Sequence, residues 1–226
     1  MKAVALLSGG LDSVVALKLS MEEMEVPVAL TFDYGQKAKE REIEYSSKVC
    51  ELLGVGHKVI QIPWLGEITS TSLVKGKIPE VKEEELESER AKETARQVWV
   101  PNRNGVFVNI AASFAEAMGA KYIVTGFDAE EAATFPDNSP GYVRAANEAF
   151  SYSTLIKAEI FAPLIDMDKE DIVLAGIRHE APLEWSWSCY SSGKKPCLKC
   201  ESCLRRKRAF DRVGEKDPLL ARLGLA

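Results

Sequence analysis

The sequence predicts an α/β fold, a parallel sheet flanked by helices, with a metal-binding segment at its C-terminal end. Three observations carry that expectation. Short apolar runs alternate with segments of helical period along most of the chain. A glycine turn, Ser8-Gly9-Gly10-Leu11-Asp12-Ser13, follows the first of these runs directly. Four of the five cysteines fall between Cys189 and Cys203.

Each element has its own signal. Residues 3–7 (AVALL) are short, apolar and ended by a turn, as a buried strand should be. Val14, Val15, Leu17, Leu19 and Met24 place a helix over 14–24. A second strand over 26–35 ends at Asp33 and Gly35, and a helix over 37–53 turns Ile43, Val49, Leu52 and Leu53 inward before Gly54 closes it. Residues 57–62 form a third strand, stopped by Pro63. Strand, helix, strand, helix, strand requires right-handed crossovers and hence a parallel sheet. Residues 64–98 break the rhythm: charged, with few apolar anchors, they read as an insertion that is a solvated helix or mobile. A small-residue-rich helix over 105–119, a strand over 121–127, a loop over 128–140 and a helix over 142–152 follow. A strand over 159–165, a helix over 169–180, the cysteines and a basic helix over 203–213 complete the chain. The expected division is a ligand-binding α/β domain over 1–184 and a zinc-binding segment with the last helix over 185–226.

Composition narrows the function. The chain has 226 residues, 46% of them hydrophobic and 28% charged, with a net charge of −5. That acidity argues against chain-wide attraction to nucleic acid or anionic membrane. No apolar run approaches the ~20 residues that span a bilayer. Glycines and Asp12 interrupt the N-terminus too early for a signal peptide, so a cytoplasmic location is expected.

The glycine turn lies where a parallel sheet places its ligands, at the carboxyl end of a strand. A helix starting there offers unpaired N–H groups and about half a positive charge to phosphate. Gly9 and Gly10 let the backbone approach an anion, Ser8 and Ser13 add hydroxyls, and Asp12 could help hold Mg²⁺. The loop lacks the ending of a Walker P-loop and the spacing of a dinucleotide fingerprint. The plain alternative is a tight turn with Asp12 near the cap.

Cys189, Cys197, Cys200 and Cys203 are spaced C-x7-C-x2-C-x2-C. Four thiolates in that pattern suit one tetrahedral, structural Zn²⁺ per chain and leave no open coordination position. Two disulfides or an iron–sulfur cluster are the competing readings. Cys50 reads as a small buried hydrophobe. The run Arg205-Arg206-Lys207-Arg208 is open between a solvated helix face, a nucleic-acid contact, a phosphate grip and a subunit contact.

SGGLDS after an N-terminal strand resembles the PP-loop of the ATP pyrophosphatase superfamily. With the cysteines, the chain further resembles the QueC family of 7-cyano-7-deazaguanine synthases along nearly its whole length. The matching segments are Asp33-Tyr34-Gly35-Gln36, Val100-Pro101-Asn102-Arg103-Asn104, Phe135-Pro136-Asp137, and Pro163-Leu164 followed by Lys169-Glu170. The resemblance implies a Rossmann-like fold of the adenine nucleotide alpha hydrolase type. It also implies a ligase that uses ATP and ammonia to turn 7-carboxy-7-deazaguanine into the nitrile, in queuosine and archaeosine precursor synthesis. ATP would bind at Ser8, Gly9, Gly10, Leu11, Asp12 and Ser13, with adenine at Thr31 and Phe32. Asp12 and Arg103 would be catalytic. Asn102, Arg103, Asn104, Phe135 and Asp137 would hold the deazaguanine, and the family's habit implies a homodimer.

Departures from the family pattern are local. Lys37 stands where a histidine is usual, and Asn102 where glycine is common. Asp128-Ala129-Glu130-Glu131 and Asn138-Ser139 replace an asparagine and a later Cys-Arg, altering the expected substrate wall; Arg144 is the candidate for the missing positive charge. These departures keep two other readings in play: a PP-loop enzyme acting on another carboxylate or on tRNA directly, and a zinc-dependent nucleic-acid-binding module resting on the basic run. For the synthase, partners are small molecules, with no membrane and no stable nucleic-acid complex.

Overall fold

A computed structural model describes residues 1–225. In chain order the elements are β1 (Lys2–Leu6), α1 (Leu11–Glu23), β2 (Glu25–Asp33), α2 (Lys39–Leu53) and β3 (Gly56–Gln61). Next come α3 (Pro63–Glu67), α4 (Glu89–Val98), α5 (Arg103–Ala117), β4 (Tyr122–Val124), α6 (Ala129–Ala132) and α7 (Pro140–Ser153). Then follow β5 (Glu159–Phe161), α8 (Lys169–Arg178), α9 (Glu201–Val213) and α10 (Pro218–Arg222).

The five strands are parallel in the order β3-β2-β1-β4-β5. β1 therefore lies at the centre, in register with both neighbours at Val4, opposite Val28 and Ile123. Its period of two divides the core cleanly. Ala3, Ala5 and Leu7 face one layer with Val14, Leu17, Ile172 and Phe210, whereas Val4 faces the other with Val108, Ala111 and Phe150. Each large aliphatic so buried contributes roughly 1.5–3 kcal/mol. The small residues of α5, Ala111, Ala112 and Ala115, let that helix sit close against the sheet. Ala209 and Phe210 of α9 share a core with β1 and α1, so the cysteine-bearing end of the chain packs into the sheet layer.

Several expectations change in detail. Strands expected over 121–127 and 159–165 keep three residues each, because the chain after Val124 peels away towards the loops. The expected loop over 128–140 contains α6 and a 3-10 turn at Pro136–Asn138. Leu52, expected inward, is half exposed. Cys50 is buried, and burial pushes its thiol up to about 11, which suits packing rather than reactivity.

The charged insertion is docked rather than solvated or loose. It contributes α4, buries Leu73 and Leu86, and donates the Val81 N–H to the Lys199 carbonyl. The basic run is also turned inward at two of its four positions: Arg206 and Arg208 are buried. Arg208 pairs with Glu87 and Glu130, Arg205 with Glu130 and Glu201, and Lys207 with Asp211 at 2.6 Å. The contrast with a free basic face has a simple cause: helix α9 lies between the insertion and α6, and both present carboxylates to it. Among the described residues, no helix is long and apolar enough to cross a membrane.

Candidate active site

The strand order changes direction between β1 and β4, and the crevice beyond their carboxyl ends is where such sheets bind ligands. β1 ends there in the glycine turn. Gly9 adopts φ +72°, and a Cβ on it would lie 3.0 Å from the Glu42 carbonyl and 3.1 Å from the Ser46 hydroxyl. Both the backbone angle and the space therefore require glycine. Gly10 is the extended residue before α1 and donates its N–H to Ser8 Oγ at 3.3 Å. Ser13 Oγ donates to the Gly10 carbonyl at 3.0 Å and lies 3.2 Å from Ser8 Oγ. From β4, Gly126 closes against the first turn of α1, where its Cβ would strike the Ser13 nitrogen at 2.9 Å.

A cavity of about 220 Å³ opens at this point. Ser8, Gly10, Leu11, Asp12 and Ser13 form one part of its wall; Phe32, Arg103 and Asn104 form another. Phe32 stacks on Phe107, with ring centres 4.1 Å apart and planes within 6°. Arg103, at the start of α5, lies beside Tyr34. Burial works against its charge, but Tyr34, Glu131 and Asp137 outweigh that and hold the guanidinium above its ordinary range.

Five expected site residues do not reach this wall, the first being Gly9, whose carbonyl accepts the Trp187 N–H instead. Thr31 is fully buried, with its hydroxyl donating to the Leu7 carbonyl at 2.6 Å and lying 2.8 Å from His57 Nε2. It ties β2 to its neighbouring strands and does not line the cavity. Asn102 takes φ +50° at the head of α5, and its carboxamide folds back over Gly105. Phe135 stacks on Trp99 beside a smaller recess of about 30 Å³. Asp137 lies near Asn104 and Arg103 with Asn138 Nδ2 donating to its carboxylate at 3.3 Å, and burial pushes its carboxyl up. Its neighbour Asn138 lines the cavity instead. Arg144 is exposed on α7 and is absent from the cavity wall, so it does not supply the missing positive charge.

The structure adds a residue with no local signal as a functional group. Lys169, at the start of α8, is 5% exposed and lies 2.9 Å from both Asp12 and Asp128 and 3.6 Å from Glu131. Burial alone would discharge it; the three carboxylates outweigh burial and hold its ammonium well above the ordinary range. Burial likewise raises Asp12, with Lys169 opposing, and pushes Asp128 up to about 7. Asp128 also caps α6 by accepting the Glu131 N–H at 2.9 Å. It is fully buried and absent from the cavity wall, so the change from asparagine at this position alters the charge around Lys169 rather than the expected substrate wall. Glu42, Tyr34, Gln36 and Thr125 are further wall residues that sequence reasoning left unassigned.

The cysteines converge beside the cavity, where Cys189 is part of the wall. Their four sulfurs lie within 4.8 Å of one another, and Cys197 Sγ is 4.0 Å from Cys203 Sγ. A tetrahedron of ~2.3 Å metal–sulfur bonds has edges of about 3.8 Å, so the donor set can hold a metal ion. None of the five cysteines is joined in a disulfide, and the four clustered sulfurs converge on one point as a shared metal ion requires. The backbone N–H groups of Cys197 and Cys200 donate to Cys189 and Cys197 sulfurs at 3.3 Å, as suits thiolates. The cluster also steadies the glycine turn, because the Trp187 N–H, two residues before Cys189, donates to the Gly9 carbonyl at 2.6 Å.

Residues 2–214 match the family model described as queuosine biosynthesis protein QueC. The chain belongs to the QueC family. It is similar to the 7-cyano-7-deazaguanine synthase of Methanosarcina mazei, at 54% identity over 231 residues and the full length of both chains. It is 50% identical over 217 residues to the 7-cyano-7-deazaguanine synthase of Pelotomaculum thermopropionicum, covering 95% of this chain and 98% of that one. Among solved structures it is similar to NMN synthetase from Francisella tularensis, at a TM-score of 0.48 and 14% identity, over 95% of this chain and 77% of that one. QueC membership thus rests on sequence, and the fold on the strand order itself.

Proposed function

We propose that this QueC chain is an ATP-dependent ligase converting 7-carboxy-7-deazaguanine and ammonia to 7-cyano-7-deazaguanine. The observation that carries the reading is the shared cavity. The serine–glycine turn at the head of α1 and the aromatic, arginine-bearing wall of Phe32 and Arg103 open into the same space. The near-full-length relatives carry that synthase name.

A carboxylate resists attack by ammonia until one of its oxygens becomes a leaving group. Transfer of AMP from ATP supplies that group, and the glycine turn is suited to the pyrophosphate released. The head of α1 and the Ser8 and Ser13 side chains line the space it would fill, and the helix N-terminus with these hydroxyls, once they turn from Gly10 to the ligand, would favour the developing negative charge. Lys169 lies behind Asp12 and keeps that carboxylate's charge compensated. Phe32 offers the edge of an aromatic stack to a flat ring, and Arg103 a fixed cation to a carboxylate or phosphate. Ammonia attack gives the amide; a second activation of the amide oxygen permits its loss as the nitrile forms.

Two metal roles follow from the donor sets. Asp12 and Glu131 line the cavity and are the carboxylates that would hold Mg²⁺ there, whereas Asp128 is buried against the Lys169 ammonium. When bound, Mg²⁺ would share the phosphate charge. The four cysteines would hold a structural Zn²⁺ that fixes the chain from Cys189 to Cys203.

Mass spectrometry of zinc-loaded protein given ATP, Mg²⁺, ammonium and 7-carboxy-7-deazaguanine tests the reading. Nitrile together with AMP is the expected result. AMP with amide alone would limit the chain to the first half, and no acid-dependent AMP from folded protein would overturn the substrate assignment.

A further inference from the structure

We propose that Glu42 is the proton acceptor for the amination step, a role that rests on the synthase reading above. Its side chain lies in the cavity wall with Arg103, Tyr34 and the serines of the glycine turn. Its position relative to that turn is fixed, because the Glu42 carbonyl is what a Cβ on Gly9 would strike.

The carboxyl is oriented for one task. Gln36 Nε2 donates to Glu42 Oε2 at 2.6 Å and to the Phe32 carbonyl at 2.8 Å, while Gln36 Oε1 accepts the Tyr34 N–H at 3.0 Å. The carboxamide is thus held at both ends and sets the direction of the acid. Among the described residues Gln36 is the one hydrogen-bond partner of that carboxyl, and no lysine or arginine pairs with it. The side chain is part-buried, and an acid with a structural role in such a place normally has a cation or a full set of donors. Glu42 has one donor and a cavity.

Its surroundings suit proton transfer near neutrality. Burial pushes the carboxyl up to about 7; the Gln36 hydrogen bond and the more distant Arg103 pull it down, and Asp33 adds to the rise. Glu42 in turn raises Tyr34, whose hydroxyl faces Arg103. An acceptor working near its own pKa is effective as a general base.

The step balances without an oxidant or reductant. The lone pair of neutral ammonia forms a C–N bond to the acyl carbon of the adenylate. The C–O bond to the phosphate oxygen breaks and its electron pair leaves with AMP. The surplus proton on nitrogen passes to the Glu42 carboxylate, giving the primary amide and a neutral Glu42 carboxyl that returns its proton to water.

The decisive comparison is Glu42→Gln against the parent in two assays on the full, zinc-loaded chain. Acid-dependent ATP–pyrophosphate exchange without ammonium reads adenylation; amide and nitrile formation at saturating ammonium reads amination. Exchange should persist at the parent rate while the amination kcat falls ~10²-fold or more. With the concentration of neutral ammonia held constant, amination in the parent should rise with pH through about 7, as the acid loses its proton, and Glu42→Gln should lack that limb. Amination at the parent rate overturns the proposal. So does equal loss of both activities, which would make Glu42 a support for the glycine turn, or a raised KM for the acid with unchanged kcat, which would put it on the ring edge. If Glu42→Gln does not fold, Glu42→Asp takes the same two assays, with the pH limb retained at a lower amination rate as the supporting result. A parent chain without acid-dependent exchange would instead overturn the synthase reading, a failure the first assay separates from this one.

Discussion

Replacing Arg206 by methionine tests whether the basic run is internal structure. The guanidinium, on a residue 5% exposed, donates Nε to Asp217 Oδ2 at 2.7 Å and Nη2 to Oδ1 at 2.8 Å. Nη1 adds the Ser186 carbonyl at 3.0 Å and hydroxyl at 2.8 Å. Methionine fills much of the same space, so the loss isolates the charge and its donors. What remains is a buried Asp217 carboxylate, still capping α10 through the Leu219 N–H, with no cation beside it. Removing one partner of a buried pair costs ~3–5 kcal/mol. For a chain of this length each kcal/mol moves Tm by roughly 2–4 °C, so a fall of about 6–20 °C is expected.

Thermal unfolding followed by circular dichroism, with the Asp217→Asn single and double variants alongside, provides the measurement. The double variant should regain much of the loss, because asparagine leaves no buried charge behind. Arg206 also anchors 183–188, whose Trp187 N–H holds Gly9, so the KM for ATP should rise in Arg206→Met. A loss under ~1 kcal/mol, the range of exposed pairs, would refute the buried-network reasoning. Strict additivity of the two single variants would do so as well.

Gly9→Ala should suppress acid-dependent ATP–pyrophosphate exchange, since alanine meets Glu42 at 3.0 Å and bears ~1–2 kcal/mol of left-handed backbone strain; unchanged exchange counts against the turn as the phosphate site. Cys203→Ser should abolish stoichiometric zinc, measured by elemental mass spectrometry, and lower Tm; full retention of metal would exclude the four-cysteine site. Lys169→Met should cost ~3–5 kcal/mol, because three carboxylates lose their shared cation. Its pH dependence has a definite sign. Asp128 is already raised to about 7, so its favourable protonated form is fully present below the ordinary carboxylate range and lost as pH rises through 7. Removing Lys169 raises that carboxyl further, so the stability gap between variant and parent should widen from pH 5 to pH 8; a constant or narrowing gap rejects the assignment.

Local pattern made the sheet legible. β1 and β2 are largely apolar runs because parallel strands inside the sheet are covered on both faces, and the glycine turn marks where the first ends; β3, at the sheet edge, carries His57 and Lys58 and has no buried residue. The cysteine spacing is likewise local, as two of its three intervals fall within one loop and a helix turn. The misread parts depend on partners distant in sequence. The insertion looked solvated because its carboxylates are charged; their docking site is α9, more than a hundred residues away, where Glu87 meets Arg208. The resemblance implies Thr31 as an adenine contact, together with Phe32, but side chains alternate along a strand, and its hydroxyl is turned into the sheet while Phe32 faces the cavity.

Charge compensation explains why the roles of Lys169, quoted only within a matching family segment, and of Arg206, left open within the basic run, could not be read from the sequence. Periodicity identifies an apolar face, and a lysine or arginine within a helix pattern is assigned to water by default. Burying either cation is tolerable only beside an anion delivered by another element: Asp12 from α1 and Asp128 ahead of α6 for Lys169, Asp217 ahead of α10 for Arg206. Those partners have no fixed sequence offset, so no motif can encode them. The same logic relocates the departure at Asp128. It is a local change in sequence, but its energetic effect falls on Lys169 and, through Lys169, on Asp12 of the phosphate turn. An Asp128→Asn variant that restores the usual family residue should therefore lower the affinity of ATP or Mg²⁺ while leaving the KM for the deazaguanine acid unchanged. A raised KM for the acid alone would return Asp128 to the substrate wall.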